Sequence, residues 1–267
     1  MIVIARSGER SERDVAIHIK ARKMQANEKV NGIVLKAEPI GEYDKRLVIL
    51  TGERGKISAF ARGARRPHSC LLAAAHPFCL GTFTIYHARS SCYVSEAEIS
   101  QFHAALRDDY EAAFYGLYFL ELMDYYTHEN NDERMMLNLL AQSLKALCHP
   151  AYDRRLVRSI FEIKALALNG EYPGLPTAKG RKAGMAASDG VGSDADDPAT
   201  YDSTIHGWDE TSVFSLDYIV SAPLEKLYNF SVADHIRAEL AEIAAIFQRR
   251  FIDRELKSLA VLEGLTL

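Results

Sequence analysis

Five short apolar runs within about 70 residues, each closed by turn residues, leave a chain few folds other than a small closed β-barrel. The runs are 30–36, 46–51, 56–62, 77–87 and 91–100, punctuated by Gly41, Gly52, Gly55 and Gly63. Beyond residue 101 the period becomes helical. Tyr110, Phe114, Leu117, Tyr118, Glu121, Leu122 and Tyr125 recur at three- and four-residue spacing, which predicts a helix over 106–127 with that stripe in its core. Asn131 or Asp132 is expected to cap a second helix running to about Cys148, with Met135, Leu139, Leu140, Leu144 and Leu147 inward. Asp153 is expected to cap a third, stopped at Asn169-Gly170. Residues 176–211, rich in Gly, Ser, Ala and Asp, read as a flexible loop. Order is expected to return at Val213, and a last helix begins with Ser231 as cap and Asp234 at its third position.

The chain therefore divides into an extension over 1–28, a β domain over 29–101, a helical domain over 102–175, the loop over 176–211 and a C-terminal helical segment over 212–267 packed on the helical domain. Residues 1–28 carry Glu9, Glu12 and Asp14 among basic and apolar residues, unlike a secretory signal or a transit peptide; Met24 is an alternative start. A composition of 48% hydrophobic and 25% charged residues is that of a soluble globular protein, and no apolar run is long enough for a membrane span. Cysteines at 70, 79, 92 and 148 form no CxxC pair, which fits reduced thiols in a cytoplasmic protein. With His68, His76 and His87 they make no recognised zinc pattern, so neither metal nor cofactor is expected.

Charge is distributed unevenly. From Arg54 to Ser95 there is no Asp or Glu, where the chain's average would place about five or six. The window carries Arg54, Lys56, Arg62, Arg65, Arg66 and Arg89, a net +6, and the rest of a chain of net −4 therefore sums to −10. A merely solvated face mixes both signs. A single-sign one suits an anionic polymer. With Lys36, Lys45 and Arg46 these side chains are candidate phosphate contacts. Tyr43, Phe60, Tyr86 and Tyr93 lie among them and are candidates for stacking on unpaired bases, although barrel core is the plainer reading of the rings.

Catalytic signals are missing. Gly52-Glu-Arg-Gly55-Lys56-Ile57 is too short before its Gly-Lys for a phosphate loop and has Ile57 where a hydroxyl belongs, so it reads as a turn. No GxSxG, HExxH or GxGxxG occurs, and the nine histidines are scattered. The chain is expected not to be an enzyme.

Val30-Asn-Gly-Ile-Val-Leu-Lys36, Gly41-Glu-Tyr-Asp44, Leu50-Thr51, Gly55-Lys56, Ala61-Arg-Gly-Ala-Arg-Arg66 and Pro77-Phe78 together resemble the N-terminal domain of the RecO family of bacterial recombination and repair proteins. Tyr118-Phe-Leu-Glu-Leu122, Phe161-Glu162, Asn169-Gly170 and Tyr172-Pro-Gly-Leu175 continue the match over about 29–176, and it resumes weakly at Phe214-Ser215. The resemblance implies an α+β multidomain chain: an N-terminal OB-fold barrel followed by an α-helical domain. It also implies binding of single- and double-stranded DNA, annealing of complementary strands, and a place in the RecF pathway. There RecR and the C-terminal tail of single-stranded DNA-binding protein (SSB) are partners, and RecA is loaded onto SSB-coated strands. Localisation would be cytoplasmic, with the nucleoid.

Many RecO proteins carry a four-cysteine zinc module after the Tyr-Pro-Gly-Leu segment. Here Pro176-Thr-Ala-Lys-Gly-Arg-Lys-Ala follows, with no later cysteine, so the module is degenerate or absent. The competing reading is a protein-interaction scaffold whose basic barrel takes acidic peptides rather than DNA.

Overall fold

The computed structural model describes residues 27–88, 91–176 and 207–265, apart from the side chains of Arg107 and Leu265. Those up to Phe102 form one compact unit and those from His103 onward a second. In the first, β1 (Glu28–Ile40), β2 (Asp44–Thr51), β3 (Gly55–Ala61), β4 (Leu80–Ala88) and β5 (Ser91–Gln101) close a barrel in the order β1-β2-β3-β5-β4. All neighbours are antiparallel except β3 and β5, which run parallel. This is the OB-like barrel that the glycine-separated runs predict.

Alternation decides which side chains enter. Ile57, Ala59 and Ala61 of β3 face in and Lys56, Ser58 and Phe60 face out. Val34, Leu47, Ile49, Phe83 and Ile85 fill the interior. The same core takes Leu71, Ala74, Ala75 and Cys79 from the turn-rich segment between β3 and β4, which is anchored by Val34 N–H donating to Cys79 O (3.0 Å) and Phe78 N–H donating to Val34 O (3.1 Å).

Barrel closure needs two glycines. Gly32 and Gly81 face each other across β1 and β4. A Cβ on Gly81 would stand 2.3 Å from the Glu98 carbonyl oxygen, and one on Gly32 would stand 2.5 Å from the Leu50 oxygen. Backbone cannot yield as a side chain can, so Gly81→Ala is expected to cost about 1–3 kcal/mol of stability. A thermal melt unchanged from the wild type would contradict this account of the closure.

The second unit holds α1 (Ala105–Asp108), α2 (Tyr110–Tyr126), α3 (Arg134–Leu147), α4 (Arg154–Leu168), α5 (Glu210–Ser221), α6 (Asp234–Phe251) and α7 (Lys257–Leu265). Five details depart from the sequence expectation. The helix expected over 106–127 breaks at Asp109, which turns extended and caps α2 by accepting from Ala112 N–H. In α2 the buried face is Tyr115, Tyr118, Phe119, Leu122, Met123 and Tyr126, while Tyr110 and Leu117 are exposed. Met135 also points outward. Asp132 sits one residue before the N-cap of α3 and accepts from Arg134 N–H, and Ser231 does not cap α6, whose N-cap position is Ala233 with Asp234 the first helical residue.

Asp153 caps α4 as expected, and α4 ends at Asn169 with Gly170 at φ +78°. Helix α5 starts at Glu210, capped by Asp209, just inside the stretch read as a loop; residues 177–206 of that loop lie outside the described residues. No described helix is long and apolar enough to cross a membrane.

Candidate nucleic-acid interface

The barrel registers carry one row of side chains across the outer face. Arg46 on β2 stands opposite Phe60 on β3, Phe60 is beside Tyr93 on β5, and Tyr93 is opposite Tyr86 on β4. Register partners share a face, so the four form a continuous strip. The Phe60 and Tyr93 rings are 5.7 Å apart, and Tyr93 stacks on Tyr86 at 5.1 Å with 14° between their planes. Arg62, just past the end of β3, lays its guanidinium 4.3 Å over the Tyr93 ring and donates to its hydroxyl at 3.0 Å. Arg46 Nε donates to Ser58 Oγ at 2.8 Å. Glu38 on β1 is Arg46's opposite register partner.

A second cluster adjoins Arg62. Arg66 lies 4.9 Å over the exposed ring of Tyr43. Arg65 N–H donates to Tyr43 O (2.9 Å), its guanidinium donates to Gly41 O (3.2 Å), and Gly63 N–H donates to Asp44 Oδ1 (2.7 Å). These bonds staple the β1–β2 turn to the 62–66 turn. Gly63 has φ +65°, a conformation most side chains resist. Arg46, Arg62, Arg65 and Arg66 are exposed, and among the described residues none pairs with a carboxylate.

The other candidates stand differently. Lys45 donates its Nζ to Ala75 O at 2.6 Å, and burial, then the neighbouring Arg65 charge, lower its pKa. Lys36 and Lys56 are half-buried, with partners of their own. Arg54 is at the opposite end of the β2–β3 hairpin from the cluster, 3.7 Å from Glu28 Oε2. The same carboxylate lies 3.7 Å from His87 Nε2, while His87 Nδ1 is 3.1 Å from Cys92 Sγ. A run without acids in sequence thus borrows one in space. Glu28 precedes the run and returns to it through the β1–β4 pairing. Arg89 lies outside the described residues.

Gly52–Gly55 forms the β2–β3 turn, with Thr51 Oγ1 donating to Gly55 O at 2.8 Å. Among the described residues no three His, Cys, Asp or Glu side chains come together as a metal site.

Comparison with known proteins spans both units. Residues 24–103 match the family described as Recombination protein O N terminal, and residues 107–260 match Recombination protein O C terminal. The chain is 28% identical over 233 residues to a DNA repair protein RecO of Alkaliphilus metalliredigens, covering 85% of this chain and 94% of that one. It is 25% identical over 244 residues to that of Acetivibrio thermocellus (89% and 96%) and 33% identical over 147 residues to that of Bacillus subtilis (55% and 57%). Similarity therefore reaches much further into the C-terminal part than the weak match at Phe214-Ser215 indicated.

Proposed function

The chain belongs to the recombination protein O family, and on that premise we propose that it is a DNA-repair mediator whose barrel binds single- and double-stranded DNA and anneals complementary strands. The observation that carries the reading is the strip Arg46–Phe60–Tyr93–Tyr86 with Arg62 stacked on it, joined to Arg65 and Arg66 and paired with no described carboxylate. Guanidinium groups neutralise phosphates, and aromatic faces receive unpaired bases. Annealing requires only that one basic surface hold two strands and screen their repulsion while bases pair, so no bond-making step is assigned. Loading of RecA onto SSB-coated strands with RecR, and docking of the SSB C-terminal tail, belong to the same proposal on the strength of family membership, as does a cytoplasmic, nucleoid-associated location.

Replacing Arg65 and Arg66 together with Ala is expected to weaken binding of unrelated sequences alike. The slope of log affinity against log salt should flatten by about 1.4 for a single strand if each arginine meets one phosphate. An unchanged slope in a fluorescence-anisotropy salt titration removes these residues from the interface. Competition separates the two readings of the basic face. If an acidic tail peptide binds and an oligonucleotide does not, the barrel is a peptide module.

A further inference from the structure

On the helical unit, at the far end of the charge scale from the barrel face, an open pocket of about 390 Å³ is lined by the end of α2, the segment leading into α3, the end of α4 and Asp253 after α6. Its walls hold three carboxylates, Glu133, Glu171 and Asp253, together with His128, and no Lys or Arg. Glu171 meets no cation among the described residues. Two phenols also line it. Tyr125 and Tyr126 are edge to face at 5.3 Å.

Tyr126 is the telling residue. It lines the pocket and is only 7% exposed, and its hydroxyl, without a hydrogen-bond partner among the described residues, is not fully sealed from solvent. Burial first, and then the charge of Glu171, hold its phenol proton well above the ordinary range, so the group stays a neutral O–H with free lone pairs. Tyr125 is already occupied: its hydroxyl donates to Phe251 O (3.1 Å) or Asp253 Oδ1 (2.9 Å) and accepts from Asp253 N–H (3.3 Å). Its ring already takes a cation, because Arg254 lies 5.0 Å from its centroid while pairing with Asp124 at 3.7 Å.

An unpartnered hydroxyl on a buried ring, a lining with three carboxylates of which Glu133 already accepts from His128 N–H and Asp253 from Tyr125 Oη, and two phenol rings describe a site for a positive group. A bare metal ion fits poorly, because no three ligating side chains converge there and the space is several times that of an ion with its ligands. The negative walls also repel phosphate, so DNA is not the occupant. The geometry points to a pocket for an alkyl guanidinium or ammonium head, delivered by a basic segment of a partner protein. A guanidinium matches best: its planar fork offers several N–H donors to separated carboxylates and its face suits phenol rings, while Tyr126 Oη accepts one more N–H. The assignment is independent of the DNA reading, which concerns the other unit and the opposite charge.

The same chemistry could come from a free small cation, so the test has two arms. Binding to the full chain is measured by isothermal titration at low salt with a short blocked peptide carrying one arginine, with the same peptide carrying citrulline, and with agmatine. The arginine peptide is expected to bind and the citrulline peptide, equal in shape but uncharged, not to. Glu171→Gln should weaken the arginine peptide by about three- to tenfold, an exposed charge-assisted bond being worth about a kcal/mol. Tyr126→Phe should weaken it severalfold. Glu171 is exposed, so its variant keeps the fold, and oligonucleotide binding by the same variant serves as a control that should not change. Agmatine binding as tightly as the peptide would make a free cation the ligand and overturn the partner-protein assignment. No binding of the arginine peptide, or equal binding by wild type and Glu171→Gln, would overturn the site itself.

Discussion

Replacing Glu162 by Ala is expected to lower the unfolding free energy of the helical unit by about 3–5 kcal/mol, the cost of leaving a buried ion pair with one partner. The Glu162 side chain is almost fully buried on α4, and its Oε1 accepts three hydrogen bonds at 2.7 Å, from Tyr118 Oη on α2, Arg158 Nε one turn away and Gln248 Nε2 on α6. Gln248 also donates to Tyr118 Oη, and Arg158 reaches Glu263 on α7 at 3.4 Å. One carboxylate oxygen therefore ties three helices, α2, α4 and α6, and Arg158 extends the network to the fourth, α7. Burial pulls the Arg158 pKa down, but the Glu162 charge and hydrogen bond outweigh it, and the guanidinium is held more firmly protonated than usual. Without Glu162 that cation stays charged in a mostly buried place while two further donors lose their acceptor.

Two companion variants separate charge from packing. Glu162→Gln keeps an acceptor in place and is expected to cost about 1–3 kcal/mol. Arg158→Met combined with Glu162→Leu removes both charges and should cost less than Glu162→Ala alone, because buried pairs often give back no more than their desolvation took. Urea denaturation followed by far-ultraviolet circular dichroism reads all three. A loss below about 1 kcal/mol for Glu162→Ala would show that the network is not what joins these helices.

Strands and helices were legible where local signals were strong. The barrel runs were bounded by glycines that must bend, and Asp153 and Asn169-Gly170 bracketed α4 because a short acceptor and a left-handed glycine act within one turn of chain. Signals failed where the deciding contact was distant. Helix α2 is apolar on most sides, so spacing could not fix which stripe is buried, and Tyr110 and Leu117 ended outside. Ser231 has the chemistry of a cap, but 231–233 lie outside any helix, with Ala233 extended, beside the cavity that Phe230, Ser231 and Val232 line. The segment that plugs the barrel, Leu71 to Cys79, has no period to announce it.

The candidate interface shows the same division. A shortage of acids marked the basic face, yet sequence alone could not show that Glu28 comes back to Arg54 or that Lys45 turns to Ala75. Nor could it show the strip itself, because Phe60 meets Tyr93 only through the parallel β3–β5 pairing that closes the barrel.

That pairing sets the second large expectation. Tyr93→Ala should weaken single-stranded DNA binding by about ten- to a hundredfold and double-stranded binding far less. Tyr93 is the middle ring of three, 5.7 Å from Phe60 and 5.1 Å from Tyr86, and it is also the seat of Arg62. Removing it takes the centre from the stacking platform, where each base is worth about 1–3 kcal/mol, and frees a guanidinium that the ring now holds in place. Duplex bases already stack on one another and present only phosphates to such a surface, so the ring matters little to them. Tyr93→Phe keeps the ring and its cation contact, loses only the 3.0 Å bond from Arg62, and is expected to stay within about threefold of wild type. The salt dependence distinguishes this variant from the arginine ones: Tyr93→Ala should shift the line of log affinity against log salt downward at nearly constant slope, whereas losing Arg65 and Arg66 should change the slope. Equal losses for single and double strands would mean that the rings support the barrel and receive no base. An acidic peptide has carboxylates to offer and no bases, so a loss confined to single strands is an outcome that only a nucleic-acid interface produces.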